Sequence, residues 1–319
     1  MPRVFASCLL LAACACAPAR AGDFAPGGDG GTLARGVALP ALGEAAVLGR
    51  GRSETRLTLD FTNEYVQEGT CAVECVTLDG ETARLRFSHR VGLGARWDLA
   101  VELPWLDAGG GFLDGWIEDW HGWFGLPNGG RELAPQGRYR FRYERNGVVL
   151  LDETRGYSGL GDAQLTLGRG IGRRSVLRAM VKLPTGDERR LAGGTTGGAL
   201  WLEHPFALPG RWAAYVSAGI SSNERGETLR GMQNTEVAFG GIGLLAPLSR
   251  YVRLSAQLQA HGRLYDDSEL TPLARPGLPL TLGLNIGSGR RGMLDLGFQE
   301  DPSVNGSPDF AAFASLTWR

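Results

Sequence analysis

The sequence predicts an all-β protein: a transmembrane antiparallel β-barrel of about 12 strands with one long helix-containing outer loop. Three observations support this prediction. Short segments such as residues 253–261 alternate apolar and polar residues, and a strand places such residues on opposite faces. The connections alternate short with long, as turns and loops do in bacterial barrels. Beyond the N-terminus, no run of about 18 apolar residues could form a membrane-spanning helix.

The first 21 residues are typical of a secretory signal. Arg3 precedes a short apolar stretch at residues 4–17, and residues 18–21 end in the small-x-small motif that signal peptidase cuts. We therefore expect a signal peptide at 1–21 and export to the outer membrane of a Gram-negative bacterium. Residues 11–14 also match a lipoprotein signal, so lipidation of Cys14 stays open as an alternative.

Composition excludes some partners. The chain has 319 residues, with 33 Lys and Arg against 34 Asp and Glu, and this balance does not indicate a nucleic-acid partner. The 49 glycines and 43% hydrophobic residues suit many turns and packed strands. Residues 22–51 are rich in Gly, Ala and Pro and are expected to form a flexible periplasmic N-terminal segment. Whether that segment enters the barrel mouth stays open.

Two cysteines lie beyond the signal, Cys71 and Cys75. An exported protein meets an oxidising compartment, so we expect them to form a disulfide. A metal pair would need further ligands, and no histidine is near them in the sequence. No metal or cofactor is predicted.

The barrel is assigned to residues 52–319. The lengths of the connections support an even strand count, because those after even-numbered strands are short and those after odd-numbered strands are mostly longer. Aromatic residues near strand ends are typical of interfacial girdles. The last strand resembles a barrel-assembly signal, so membrane lipid and the barrel-assembly machinery are the expected partners. The predicted strands are 54–65, 81–91, 96–104, 159–168, 175–183, 194–204, 212–221, 234–245, 252–263, 279–287, 292–300 and 310–318.

Alternation also assigns side chains to the lumen. The inward set is rich in charge, which either cross-links the lumen or lines a narrow pore. The arginines of the second strand lie between acidic residues of its neighbours, so we favour a largely filled lumen with a narrow path. The predicted lumen-lining residues are Arg56, Asp60, Arg84, Arg86, Arg90, Asp98, Glu102, Arg178, Lys182, Arg253, His261 and Asp295.

The connection at residues 105–158 is long and aromatic. Residues 112–124 repeat large apolar side chains at helical spacing, which predicts a short amphipathic helix. This helix is expected to fold into the lumen, to pack over the barrel mouth, to contact a ligand as a lid, or to lie on the outer lipid interface. Asn146-Gly147 predicts a small hairpin. The lid candidates are Phe112, Asp114, Trp116, Trp120, His121 and Trp123.

Two runs in this connection, Gly111-Phe112-Leu113-Asp114-Gly115 and Gly125-Leu126-Pro127-Asn128-Gly129-Gly130-Arg131, resemble an uncharacterised Gram-negative family, the domain of unknown function 3187. The likeness extends to the flanking strands and covers most of the chain after the signal. The resemblance implies an outer-membrane-like barrel of unknown activity and supplies neither a substrate nor catalytic residues.

The sequence has no hydrolase, zinc-protease or nucleotide-binding motif, so no catalytic residue is predicted. We expect a passive channel or uptake pore for small solutes, with a charged lumen and the aromatic loop over or in its mouth. Two alternatives stay open. One is an outer-membrane enzyme acting on lipid or peptide, with His261 as its base, and the other is a closed structural or binding barrel.

Overall fold

The computed structural model describes Phe24 and residues 27–125, 130–287, 292–302, 306–308 and 310–319. The side chains of Trp120, His121, Phe124 and Ala207 are outside this description, as are the predicted signal peptide and Cys14. The lid assignments of Trp120 and His121 therefore lie outside the described residues.

The described residues form fifteen strands in one antiparallel sheet. The strands are β1 (Ser53–Thr70), β2 (Glu74–Gly92), β3 (Trp97–Gly109), β4 (Arg140–Arg145), β5 (Val148–Glu153), β6 (Tyr157–Leu160), β7 (Ala163–Ile171), β8 (Ser175–Leu183), β9 (Gly197–Ala207), β10 (Ala213–Asn223), β11 (Glu236–Pro247), β12 (Val252–His261), β13 (Leu280–Gly287), β14 (Gly292–Glu300) and β15 (Phe310–Trp318).

The sheet closes because β1 pairs with both β2 and β15. Twelve strand positions surround the barrel. β6 and β7 share one position beside β3, while β4 and β5 form a hairpin that continues from the far part of β2. The prediction of a closed twelve-stranded antiparallel barrel is confirmed. A sandwich of two sheets is excluded, since each strand of the ring is bonded to a neighbour on either side.

The two ends of the barrel differ. At the turn end, where β1 begins and β15 finishes, short segments such as 93–96, 172–174 and 248–251 join the strands. At the loop end the connections are mostly longer, including 184–196 and 262–279. The prediction of a long connection around the cysteines, between the strands at 54–65 and 81–91, is wrong. β1 and β2 stay paired to Thr70 and Glu74, so only residues 71–73 join them.

The wall has one apolar and one polar face. Phe87 is 41% exposed on the outside of β2, whereas its neighbour Arg86 is 6% exposed on the inside. Trp97, Trp212 and Trp318 are exposed on the outer face near the turn end. Tyr65 and Tyr265, near the loop end, are buried: Tyr65 donates to the Gly130 carbonyl of the long connection, and Tyr265 donates to the Leu33 carbonyl of the N-terminal segment.

Helices are few among the described residues. α1 (Asp114–Phe124) lies in the long connection and α2 (Thr271–Ala274) in the loop before β13. Neither is long and apolar enough to cross a bilayer. Between β4 and β5, Asn146 and Gly147 have φ of 52° and 73°, which suits the expected tight turn. Short 3-10 helices are found at Leu33–Gly36, Arg131–Leu133, Glu188–Arg190 and Pro209–Arg211.

Candidate functional site

The segment that we expected to be a flexible periplasmic tail lies inside the barrel. We call Phe24 and residues 27–48 the plug. Its described part rises from the turn-end half of the lumen, turns at the 3-10 helix Leu33–Gly36 near the loop end, and descends again; Gly27 and Leu42 pair across its two limbs. Small residues let it fit, since Ala38 and Ala45 are fully buried. Its backbone finds wall partners, such as Asn223 Oδ1, 2.7 Å from the Ala38 amide.

One side of the plug is apolar. The Phe24 ring meets Tyr215 of β10 edge-on, with ring centroids 4.6 Å apart. Such contacts stabilise by burial and by aromatic geometry. The cluster joins plug residues to β8–β11, and its buried members are Phe24, Ala38, Leu42, Ala45, Met180, Ala199, Trp201, Ala213, Tyr215, Phe239 and Leu245.

The other side of the plug is ionic. Near the turn end, the Glu44 carboxylate lies 3.2 Å from Arg90 Nη1, 3.8 Å from Arg178 Nη2 and 3.9 Å from Arg56 Nη1. Arg178 also donates to the backbone oxygens of Glu44 and Ala46. Burial would raise the pKa of Glu44, but the surrounding positive charges outweigh it and lower the pKa from 4.5 to about 2.

Three contacts hold the plug nearer the loop end. Asp29 Oδ2 is 2.8 Å from His261 Nε2 and accepts from Ser307 Oγ at 3.0 Å. The Thr32 amide and hydroxyl donate to Glu64 of β1. Tyr265 donates to the Leu33 carbonyl at 3.1 Å. The plug is therefore fixed at both ends of the lumen.

All twelve predicted lumen residues are buried or half-buried on the inner wall. The structure brings most of them together. Asp60 accepts from Arg84 Nε at 2.9 Å and from Arg86 Nε at 3.2 Å, and Glu102 lies 4.0 Å from Arg86. Asp98 pairs with Arg178 at 3.2 Å and with Arg90 at 3.7 Å. Lys182 pairs with Asp162. Arg253 and Asp295 lie apart from these on the β12–β14 wall, and His261 contacts the plug.

Sequence reasoning missed several charged residues of the lumen: Asp29, Arg35, Glu44, Glu54, Asp162 and Glu203. Glu54 could have been found, because it shares the inward parity of Arg56. Asp162 could not, because it lies where a break between β6 and β7 turns it inward to accept from the amides of Gly186 and Gly194. Those bonds and Lys182 draw the loop 184–196 over the lumen.

The aromatic loop is not over the mouth. Phe112 packs against Phe61 at 6.0 Å between ring centroids, and Trp116 against Phe310 at 5.2 Å. Phe61 and Phe310 belong to the outward face of β1 and β15, so α1 lies against the outside of the barrel. Trp123, also a lid candidate, is 72% exposed. Of the four locations that the sequence allowed for this helix, the structure shows the one on the outer surface of the barrel.

Described residues of the two family-like runs anchor α1. Asp114 accepts from Arg131 Nη1 at 3.0 Å, from Asn63 Nδ2 at 3.2 Å and from the Gly137 amide at 2.8 Å. Arg131 also donates to Asn63 Oδ1 at 2.6 Å. Gly111 has φ of 70°, and a Cβ there would lie 1.9 Å from the Glu81 carboxyl carbon. The motif residues Gly111, Asp114 and Arg131 therefore attach the loop to the outer face of β1 and β2.

His261 does not have the surroundings of a catalytic base. Its Nδ1 is 2.8 Å from the Gly262 carbonyl and its Nε2 faces Asp29. Ser307 donates to Asp29 rather than to the imidazole. In a Ser-His-Asp triad the histidine must contact the serine hydroxyl with the nitrogen that does not face the acid. Here both ring nitrogens are engaged elsewhere, and the imidazole ties the plug to the wall.

Two small cavities follow the ionic side of the plug. One, of about 30 Å³, includes Glu44, Arg56 and Ser88 in its lining. The other, of about 70 Å³, includes Arg35, Arg84 and Lys182. Arg86 and Glu102 line both. The cavities therefore adjoin along β2 and β3, between the plug and the charged wall.

The closed sheet, the apolar outer band and the charged interior define a closed β-barrel with the architecture of outer-membrane proteins. A crystal structure with this fold is the COG4313 outer membrane channel from Pseudomonas putida F1, with a TM-score of 0.54, 13% identity, and coverage of 87% of this chain and 98% of that one. The chain belongs to the family described as "Protein of unknown function (DUF3187)", whose profile matches residues 32–319, so the resemblance seen in the sequence is confirmed.

More distant barrels have lower scores. The translocator domain of the autotransporter NalP from Neisseria meningitidis has a TM-score of 0.47 and 12% identity, over 85% of this chain and 89% of that one. The NanC porin has a TM-score of 0.47 and 6% identity, over 84% and 100%. No curated protein matches the sequence.

Proposed function

We propose that the protein is a gated channel of the Gram-negative outer membrane, in which the plug is the gate and small polar solutes pass beside it. The observation that carries this proposal is the pair of adjoining cavities between the plug and the charged wall, both lined by Arg86 and Glu102. Charged linings favour hydrated or charged solutes. In the described state the cavities are small, so passage requires the plug to shift.

The sorted connection lengths support an orientation with the turn end in the periplasm and the loop end outside. The apolar outer band then faces lipid, and α1 lies at the outer interface, where amphipathic aromatic helices are stable. We further propose that β15 is the strand that the barrel-assembly machinery recognises.

A cross-link between plug and wall tests the gate. A Cβ built on Gly30 would lie 3.6 Å from Thr62 Cβ, within the 3.5–4.5 Å that disulfides require. We propose the double variant Gly30→Cys/Thr62→Cys, with Cys71 and Cys75 changed to Ser, recorded in planar bilayers. The oxidised protein should be silent, and a reductant should restore conductance.

The matched control is Thr62→Cys alone in the same background, which keeps Gly30 and should conduct regardless of the reductant. If the oxidised double variant conducts as well as the single variant, plug movement does not open the channel. Deletion of residues 27–48 gives the complementary result, a large and steady conductance, provided that the barrel still shows its folded, heat-modifiable gel mobility.

A closed structural barrel is the second candidate, and one observation favours it. The plug residues Leu33 and Ala34 belong to a buried apolar cluster that also contains Leu191, Leu229 and Tyr265 of the loop end. This cluster covers the lumen beyond the cavities. Wild-type protein that never conducts, beside a deletion variant that does, would favour this candidate.

A further inference from the structure

The 70 Å³ cavity has an unusual charge balance. Arg84 and Arg86 share the carboxylate of Asp60, and Glu102 lies 4.0 Å from Arg86. Arg35, on the 3-10 helix of the plug, is the third guanidinium of the cavity lining. The carboxylates of Asp60 and Glu102 are thus engaged by Arg84 and Arg86 rather than by Arg35.

The other acids of the lining are already paired. Asp162 is bonded to Lys182, and Asp29 to His261. Glu64 of β1, the acid with the largest electrostatic effect on Arg35, accepts from the Thr32 amide and hydroxyl. The carboxylates of Asp162 and Asp29 are therefore each engaged with a group other than Arg35.

Among the described residues, the hydrogen-bond acceptors of Arg35 are neutral groups. Its Nη2 donates to Thr82 Oγ1 at 2.7 Å and its Nη1 to the Leu191 carbonyl at 3.4 Å. Within the described part of the chain, no carboxylate oxygen lies within 4.0 Å of this guanidinium, and its buried Nε has no acceptor. Burial lowers the pKa of Arg35, partly offset by Glu64. A buried guanidinium that lacks a close ion pair and leaves an N–H donor unsatisfied is costly, and an incoming anion that accepts from Nε would relieve that cost.

We propose that this cavity binds a small oxyanion, a carboxylate or inorganic phosphate, with Arg35 as its principal ligand and Arg84 and Arg86 as flanking cations. A guanidinium presents a planar fork of N–H donors that fits both anions. The volume of about 70 Å³ holds several waters, or one small anion in their place. The site identifies small oxyanions as the solutes of the channel, and in that respect the inference rests on the proposed function.

Isothermal titration calorimetry of the purified barrel in detergent tests the site. Sodium acetate and sodium phosphate are titrated separately at pH 7 and constant ionic strength, against chloride. We expect saturable binding of at least one anion. Arg35→Gln should weaken it by about tenfold or more, the loss expected for hydrogen bonds to a charged group. Arg35→Lys keeps the positive charge but loses the planar fork of donors, so its anion affinity should lie between those of the wild type and Arg35→Gln.

The control is Arg253→Gln, which removes a lumen cation on β12 away from this cavity. It should bind as the wild type does. Binding by neither anion would overturn the proposal, and so would equal losses in Arg35→Gln and Arg253→Gln, which would indicate general charge attraction. Binding of acetate would identify the ligand as a carboxylate, and binding of phosphate would identify it as inorganic phosphate. Each variant is first checked for folded gel mobility.

The same titration on the oxidised Gly30→Cys/Thr62→Cys protein separates this site from the gate. The anion site should still bind there, because the cross-link is made to β1 and leaves Arg35 in place. Binding without any conductance in any variant would refute the channel and leave the site standing. Conductance without anion binding would refute the anion site and leave the channel standing.

Discussion

Replacing Glu44 with glutamine should loosen the plug, because this carboxylate is the ionic contact of the plug with three arginines of the wall. When the plug leaves, Glu44 returns to water and to its ordinary pKa of 4.5, whereas the docked pKa is about 2. At ~1.4 kcal/mol for each pH unit, the charge stabilises docking by about 3 kcal/mol. The side chain is 25% exposed, so solvent screening reduces this to about 2 kcal/mol.

A buried reporter can measure this change. Ala38 is fully buried on the plug, and Ala38→Cys in a background without Cys71 and Cys75 places a thiol there. When closing is faster than labelling, the rate of maleimide reaction follows the fraction of open plug. A loss of about 2 kcal/mol should raise the labelling rate of Glu44→Gln about thirtyfold at pH 7.

The matched control is Glu227→Gln, on a loop residue whose side chain is 78% exposed. It should label at the parent rate. If Glu44→Gln and Glu227→Gln label equally slowly while both barrels are folded, the ionic contact does not hold the plug, and the electrostatic reasoning is refuted.

Three further predictions concern acid, the inner loop and the outer loop. Because the docked pKa of Glu44 lies below 4.5, the charge of Glu44 stabilises the docked plug fully at pH values well above 4.5, and this stabilisation is lost as the pH falls towards 2. The bilayer conductance of the wild type should therefore rise as the pH is lowered from 4.5 towards 2. The conductance of Glu44→Gln should not rise over the same range. Lys182→Met leaves buried Asp162 unpaired, at a cost of about 3–5 kcal/mol, so limited proteolysis should cut within residues 184–196; resistance equal to wild type contradicts this. Arg131→Met removes the bonds to Asn63 and Asp114, so proteolysis should release the segment 110–139 while the barrel keeps its folded gel mobility; an uncut loop would show that α1 has other anchors.

The wall of the barrel was predictable because its signal is local. Alternation along each strand assigns the faces, and β8, β14 and β15 begin and end at the predicted residues. The length of β1 and β2 was not predictable, since both strands run beyond the apolar band and their outer residues are polar on both faces. Residues paired in this outer part, such as Gln67 and Thr77, do not show the alternation of apolar and polar residues that identifies a strand.

The plug was not predictable for a different reason. Its residues have no periodicity, and the partners of Glu44 lie on three strands that are far apart in sequence. The location of α1 was also hidden. Phe61 and Phe310 are covered by Phe112 and Trp116. They have the same alternation as the other outward residues of their strands, so the sequence does not distinguish an exposed outer wall from one covered by the chain itself.

The shape of the plug has a consequence for biogenesis. Phe24 lies beside Tyr215, the third residue of β10 from the turn end, and residues 49–52 leave the lumen at that same end. The inserted chain is thus doubled back, with its bend foremost. A doubled-back chain passes in and out through a single opening without being threaded. The cylinder can therefore be completed first and filled afterwards, and emptying it breaks no strand pairing.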